Sequence, residues 1–93
     1  MELEKLTNPF WEDSLGRTRT QHYLGCVPYK GWEIHTVQRR SIWESSVPER
    51  DLYISYVGTK DAAELEGMSL AYFTPGESIK WAKACVDRRL GDG

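Results

Sequence analysis

The sequence lacks long apolar runs and has few cysteines. No window approaches the roughly eighteen consecutive apolar residues that a membrane helix needs, and the opening MELEKLTN does not have the charged-then-apolar order of a signal peptide. Two cysteines, Cys26 and Cys85, are too few for the disulfide framework of a small secreted domain. We therefore expect a soluble cytoplasmic protein with no membrane partner, in which both thiols are free and buried. A single bridge between them is the alternative.

The chain also lacks a strong net charge and any phosphate-binding loop. Its 12 basic and 14 acidic residues give a formal net charge of -2, so no overall field attracts the protein to nucleic acid. The glycines match neither the P-loop nor the Rossmann spacing. Neither class of nucleotide-binding domain is expected.

Aromatic side chains, in contrast, are plentiful: four Trp, five Tyr and two Phe among 93 residues. Each ring can bury about 150 to 250 Å², so a chain of this length can form one modest core without disulfides or metals. No repeat, low-complexity tract or linker divides the sequence. We expect a single small domain over residues 1–93.

The order of predicted elements favours an α+β fold. Residues 1–16 are expected to be loosely ordered, and residues 17–73 to hold the strands, a polar loop and a short helix near 61–66. The strands are predicted at 17–24, 32–40, 51–57 and 69–73, with turns over 25–31 and the loop over 44–51. Since the connections are too short for parallel crossovers, we predict a mostly antiparallel three- to four-stranded sheet with one C-terminal helix packed on one face.

The C-terminal helix has the most specific local signal in the chain. In Thr74-Pro75-Gly76-Glu77 the threonine can cap a helix, the proline fits its first position and the glutamate completes a capping box. The predicted helix covers 74–90. It presents an apolar stripe to the sheet: Ile79, Ala82, Val86 and Leu90.

The strand over 32–40 has an irregular pattern. Trp32 and Ile34 share one side, and Glu33 and His35 share the other, which is the two-residue period of a half-buried strand. Val37 is out of phase with the apolar side. Either a bulge near Thr36 restores the phase, or Val37 covers the second face of the sheet.

Trp81 lies nearly opposite the apolar stripe of the helix. With Cys85 and Arg88 it predicts an exposed aromatic-arginine patch, and Trp and Arg are enriched at the energetic centres of protein interfaces. Alternatively, the N-terminal segment around Phe10 and Trp11 folds over this side of the helix. Trp11 is therefore a candidate interface residue too, and the patch leads us to predict homodimerisation.

A second hypothesis is nucleic-acid binding through a basic sheet face. The predicted strands carry arginines interleaved with tyrosines, which could form a stacking surface for single strands if they emerge on one side. The plain alternative is a solvated face with cross-strand charge pairs. The residues concerned are Arg17, Arg19, Arg39 and Arg40.

Catalytic and metal sites are not predicted. The soft ligands His22, Cys26, His35 and Cys85 reach the number that a structural zinc site needs, but no Cys-x2-Cys pair accompanies them. No nucleophile motif surrounds either cysteine. An enzyme built on His22, Cys26 and His35 would require these three side chains to converge in one cleft.

The sequence thus favours a non-catalytic protein-interaction or regulatory module, such as a small adaptor or inhibitor. This hypothesis depends on the absence of catalytic motifs and on the excess of aromatic residues. The expected partner is a protein, with no cofactor and no metal.

Overall fold

The sheet has five strands, one more than the maximum of four that the sequence predicts. The computed structural model describes residues 2–12, 15–41, 50–61 and 63–91. Its elements are α1 (Leu3–Thr7), β1 (Phe10–Glu12), β2 (Thr18–Tyr29), β3 (Trp32–Ser41), β4 (Arg50–Thr59), β5 (Gly67–Met68) and α2 (Pro75–Gly91). The strands form one antiparallel sheet in the order β1-β2-β3-β4-β5. The α+β class, the antiparallel sheet and the C-terminal helix are confirmed. Most of the predicted loop over 44–51 lies outside the described residues.

The β2–β3 hairpin is longer and its turn tighter than predicted. Tyr29 pairs with Trp32, so only Lys30 and Gly31 form the turn. Both have positive φ, 50° and 84°, as a type I′ turn requires, and its twist matches that of the strands. Pro28 is accommodated because β1 pairs only with residues 18–20, which leaves β2 at the sheet edge there.

An irregularity in β2 decides which side chains share a face. The register shifts between Tyr23 and Gly25, and Gly25 has a φ of 122°, a conformation that side chains disfavour. The extra residue places Tyr23 and Cys26 on the same side of the sheet. The bulge predicted near Thr36 is wrong, because β3 pairs with β4 without a break. Val37 instead covers the second face, where it is fully buried.

The helix face is the side of the sheet that α2 covers. Its core consists of Ile34, Val57, Ala82 and Val86. Thr74 accepts a hydrogen bond from the Glu77 amide at 3.3 Å, which is the predicted cap. Neither α1 nor α2 is long and apolar enough to cross a membrane.

The buried side of α2 is rotated relative to the predicted stripe. Leu90 is 51% exposed and Ile79 half-buried, whereas Ser78 is fully buried. Trp81 and Cys85 pack at the margin of the helix-face core. The apolar pattern missed this rotation because the centre of the buried arc contains a serine, whose hydroxyl finds partners in the sheet.

The N-terminal face is the opposite side, covered by α1. Its core consists of Leu6, Val37, Ile54, Tyr56 and Leu65. Residues 1–16 were expected to be loosely ordered, yet Leu6 has no exposed surface and the Leu3 amide donates to the Ala63 carbonyl at 2.8 Å. The N-terminal segment therefore supplies part of the core.

The segment after β4 differs most from the prediction. Instead of a helix near 61–66, its described residues form a turn at Asp61 and a bridge between Glu64 and Glu2. The side chain of Leu65 lies so close to Gly58 that a Cβ there would be 2.9 Å from it. Burial of Leu65 beneath the sheet thus outweighs the weak local helix preference. The strand predicted at 69–73 is reduced to β5 and a bridge between Tyr72 and Tyr53.

Candidate functional site

Arg39 is a buried cation on the N-terminal face. Its residue is only 8% exposed. The guanidinium Nε donates to Gln21 Oε1 at 3.0 Å, and Nη1 donates to the Tyr56 hydroxyl at 3.1 Å. The guanidinium carbon lies 4.2 Å from the centre of the Trp11 ring, within the range of a cation–π contact. Three side chains therefore fix the orientation of the Arg39 fork.

Gln21 connects this cation to the end of α1. Its Nε2 donates to the carbonyls of Lys5 at 2.7 Å and Asn8 at 2.8 Å, with Leu6 further away at 3.3 Å. These carbonyls belong to the end of a helix, where acceptors lack partners within the helix. One amide thus ties α1 to the sheet and holds Arg39 in place.

The guanidinium keeps unused donors. An arginine offers five N–H groups, and the two bonds to Gln21 and Tyr56 use one hydrogen each of Nε and Nη1. Within residues 2–12, 15–41, 50–61 and 63–91 no carboxylate forms an ion pair with Arg39, and Nη2 bonds to none of these residues. In the same part of the chain, the shielded Trp11 Nε1 also lacks an acceptor. Buried cations in proteins are normally matched by an anion.

A cavity of about 360 Å³ lies beside these groups. Its described lining residues carry two cationic side chains against one carboxylate, and its apolar rim includes Phe10, which is 56% exposed. The lining residues are Lys5, Asn8, Phe10, Trp11, Glu12 and Arg39. We call this cavity the Arg39 pocket. Its chemistry suits the binding of an anion beside apolar groups, since none of these six described lining residues supplies a thiol, hydroxyl or imidazole as nucleophile or base.

The predicted interface residues do not form one patch. Arg88 is exposed, but Trp81 and Cys85 are half-buried against the helix-face core. The alternative, in which Phe10 and Trp11 cover Trp81, is wrong because the Trp11 side chain lies on the opposite face, where it contacts Arg39. Trp11 is therefore separated from the other three by the sheet.

The four arginines of the nucleic-acid hypothesis do not all lie on one face. Arg39 is buried on the N-terminal face, and its neighbour Arg40 points to the helix face because successive strand residues alternate. Arg40 lies 3.9 Å from Asp51. Arg19 is half-buried and pairs with Trp11 across β1 and β2, while Arg17 is exposed just before β2. The strand alternation thus places Arg40 on the helix face but keeps Arg19 on the same face as Arg39.

A second polar cluster lies further along the N-terminal face, at the hairpin end. Cys26 and His35 are direct partners in the β2–β3 register, and Glu33 precedes His35 by two residues. The His35 ring bonds through Nδ1 to the Tyr23 hydroxyl at 2.7 Å, and Nε2 lies 3.3 Å from a Glu33 carboxylate oxygen. We call this the Cys26–His35 cluster.

The electrostatics of the Cys26–His35 cluster disfavour a reactive thiol. Burial, followed by the negative charge of Glu33, raises the pKa of the Cys26 thiol. Burial also raises the pKa of Tyr23, with smaller effects from Cys26 and Glu33. A nucleophilic cysteine needs a lowered pKa, so this environment differs from that of a catalytic thiol.

Only part of the set of soft ligands converges. His22 pairs with Gln38 and faces the helix side, and Cys85 packs against the helix-face core. Both cysteines are free, and Cys26 is exposed rather than buried as expected. The sequence reasoning missed Glu33 as the third member. Counting back from a two-residue turn at Lys30-Gly31 would have paired Cys26 with His35.

No protein-family model matches the chain. No curated protein and no solved structure matches it either. The function is therefore inferred from the chemistry of the two sites.

Proposed function

We propose that this domain is a non-catalytic binding module that accepts a carboxylate of a protein partner in the Arg39 pocket. The observation that carries the proposal is the buried, pre-oriented Arg39 fork, which retains donors and has no ion-paired carboxylate among the described residues. A binding module of this kind would act as an adaptor or inhibitor.

The shape of the site favours a carboxylate over a phosphate. A planar fork binds the two oxygens of a carboxylate in parallel, and Nη2 together with the second hydrogen of Nη1 are the donors that Gln21 and Tyr56 leave for such a pair. Glu12 in the pocket wall would repel a dianion more strongly than a monoanion. The exposed ring of Phe10 and the face of Trp11 offer apolar contact to the side chains next to an acidic residue in a peptide.

A separate apolar surface lies at the other edge of the sheet. The sheet edge after β4 exposes three large side chains: Met68, Leu70 and Phe73. Exposed apolar groups grouped along one segment mark interaction surfaces more often than isolated ones do. This surface now motivates the homodimer prediction in place of Trp81, and light scattering at high protein concentration would test it.

Nucleic-acid binding stays the alternative prediction. It requires affinity to fall steeply with salt, whereas a shielded carboxylate contact should be less sensitive. The cytoplasmic location is also a proposal, and the two free thiols are in keeping with it.

The direct test uses two blocked pentapeptides that differ in one residue, a central glutamate or glutamine between phenylalanines. We expect the glutamate peptide to bind about 10- to 100-fold more tightly, since charge-assisted hydrogen bonds contribute about 1.5 to 3 kcal/mol. Binding would be followed by NMR chemical shifts, and the largest shifts should include the Trp11 indole.

Arg39→Lys should remove most of the preference for glutamate, because an ammonium cannot replace the fork. The matched control is Arg40→Lys, which changes the next residue on the opposite face and should leave binding unaltered. Equal binding of the two peptides, or a preference that survives in folded Arg39→Lys, would contradict the proposal. So would the absence of binding by either peptide at millimolar concentration.

A further inference from the structure

We propose that Cys26, Glu33 and His35 form a binding site for a divalent transition metal of the zinc type. This site is separate from the Arg39 pocket and does not depend on the proposed function. It combines a thiol, an imidazole and a carboxylate, the three side-chain classes that zinc uses in proteins.

The distances are those of a site that needs little rearrangement. One ligand atom from each residue lies within 4.8 Å of the other two, and His35 Nε2 lies 3.3 Å from the Glu33 oxygen. Zinc bond lengths of about 2.0 to 2.3 Å in a tetrahedral arrangement place neighbouring ligand atoms about 3.2 to 3.8 Å apart. Small side-chain rotations would close the remaining difference.

The backbone holds the three ligands on rigid elements. Cys26 and His35 face each other across β2 and β3, and Glu33 follows on the same side of β3, opposite Pro28. The tight turn at Lys30-Gly31 closes this hairpin and fixes the register. Ligands on paired strands lose less conformational freedom on binding than ligands on loops.

Tyr23 orients the His35 ring through a hydrogen bond to Nδ1. A metal-binding histidine usually has its other ring nitrogen hydrogen-bonded, which sets the orientation of the ring. Here Nδ1 bonds to the Tyr23 hydroxyl at 2.7 Å and the two rings stack. Nε2 is thereby directed toward Glu33 and is the nitrogen available to an ion. The β2 bulge brings Tyr23 to the same face.

Charge and access fit a divalent ion. A thiolate and a carboxylate beside a neutral imidazole carry two negative charges, which balance one divalent cation. Cys26 is exposed, Glu33 half-buried and His35 buried, so an ion can enter from the Cys26 side. Three protein ligands leave a fourth position for water or for a ligand from a partner. The sulfur and nitrogen donors favour zinc over magnesium or calcium.

The test is calorimetric titration of tag-free, reduced protein with Zn²⁺ alone, and with Mg²⁺ as a second probe. We expect one Zn²⁺ per chain, no Mg²⁺ binding, and a rise in melting temperature with zinc. Cys26→Ser and Glu33→Gln should each weaken Zn²⁺ binding at least about 10-fold, and Tyr23→Phe by about 10-fold while one Zn²⁺ still binds. Co²⁺ substitution should give thiolate absorption bands that Cys26→Ser abolishes.

Cys85→Ser is the matched control, because it changes the other cysteine on the opposite face and should leave zinc affinity and stoichiometry unaltered. The exposed position of Cys26 lets its variant be compared as a folded protein. Zinc binding of equal strength in wild type and Cys26→Ser, or no zinc binding by the wild type, would overturn the proposal. Arg39→Lys should bind zinc like the wild type, which keeps this test independent of the peptide experiment.

Discussion

The two faces of the sheet differ in how their buried polar groups are hydrogen-bonded. On the helix face, hydroxyls bond to one another in a short chain: Thr36 to Ser55 at 2.9 Å, Ser55 to Ser78 at 2.8 Å, and Ser78 to the Pro75 carbonyl at 2.9 Å. Each hydroxyl can donate and accept, so the chain closes within the domain. This face therefore uses its polar groups to hold α2 against the sheet.

On the N-terminal face, the buried polar groups cannot all satisfy one another. A guanidinium only donates, and Arg39 has more donors than Gln21 and Tyr56 can accept from. His35 differs, because Nδ1 bonds to Tyr23 and Nε2 bonds to Glu33, beside Cys26, which groups three metal-ligand types in one place. Buried polar groups that lack internal partners are candidate binding groups. The difference between the faces therefore locates both proposed sites on one side of the sheet.

The largest expected effect concerns the apolar cover of the N-terminal face. Leu6 has no exposed surface and packs with Val37, Ile54 and Tyr56. Leu6→Ala should lower the free energy of unfolding by about 2 to 4 kcal/mol, since it removes buried methyl groups and leaves a cavity. Urea unfolding measures this change. A loss below about 1 kcal/mol would mean that α1 does not belong to the folded core.

The loss of stability on replacing a buried polar side chain should be larger on the N-terminal face than on the helix face. Gln21→Leu leaves Arg39 Nε and the α1 carbonyls without a partner, and we expect it to lower stability by about 2 to 3 kcal/mol. The counterpart on the helix face is Thr36→Val, which keeps the shape and removes one bond of the hydroxyl chain. It should lower stability by about 1 kcal/mol or less, and equal losses in the two variants would remove the distinction.

The smallest effect is expected at the exposed end of the helix face. Asp87 accepts from Lys30 at 2.6 Å and from the Tyr29 hydroxyl at 2.9 Å. The hydrogen bond from Lys30, and to a smaller extent that from Tyr29, lowers the pKa of the Asp87 carboxyl. Because the folded-state pKa is below the unfolded one, the contribution is present above about pH 4 and is lost as the pH falls through the folded value.

Asp87→Asn should therefore flatten a small part of the acid side of the stability–pH curve, as measured by thermal melting between neutral and acidic pH. An unchanged acid slope in this variant would show that the contact is too solvent-exposed to contribute. Lys30→Met, which removes only the cation, should reproduce part of the effect because Tyr29 still donates.

Sequence reasoning worked best where a local signal has a local physical cause. The capping residues from Thr74 to Glu77 located the start of α2, and the alternation over 51–57 located the centre of β4. It did less well at the turn after β2, because the proline and glycines within 25–31 predict a break in the strand, whereas the edge position and the bulge accommodate them within β2. The apolar stripe of α2 was misplaced for a related reason, since a buried serine is invisible to hydropathy.

Local patterns in the sequence determined the α+β class, the antiparallel sheet and the C-terminal helix, because periodicity and capping act over a few residues. The tertiary structure alone decided which side chains meet. Trp11 was predicted at a protein interface and Arg39 at a nucleic-acid surface, yet the two side chains are in contact. Arg39 and Arg40 were predicted at the same nucleic-acid surface, yet they lie on opposite faces of the sheet. The strand register and the β2 bulge decide on which face of the sheet each side chain lies. The path of the N-terminal segment decides that Trp11 meets Arg39. Composition encodes none of these three features.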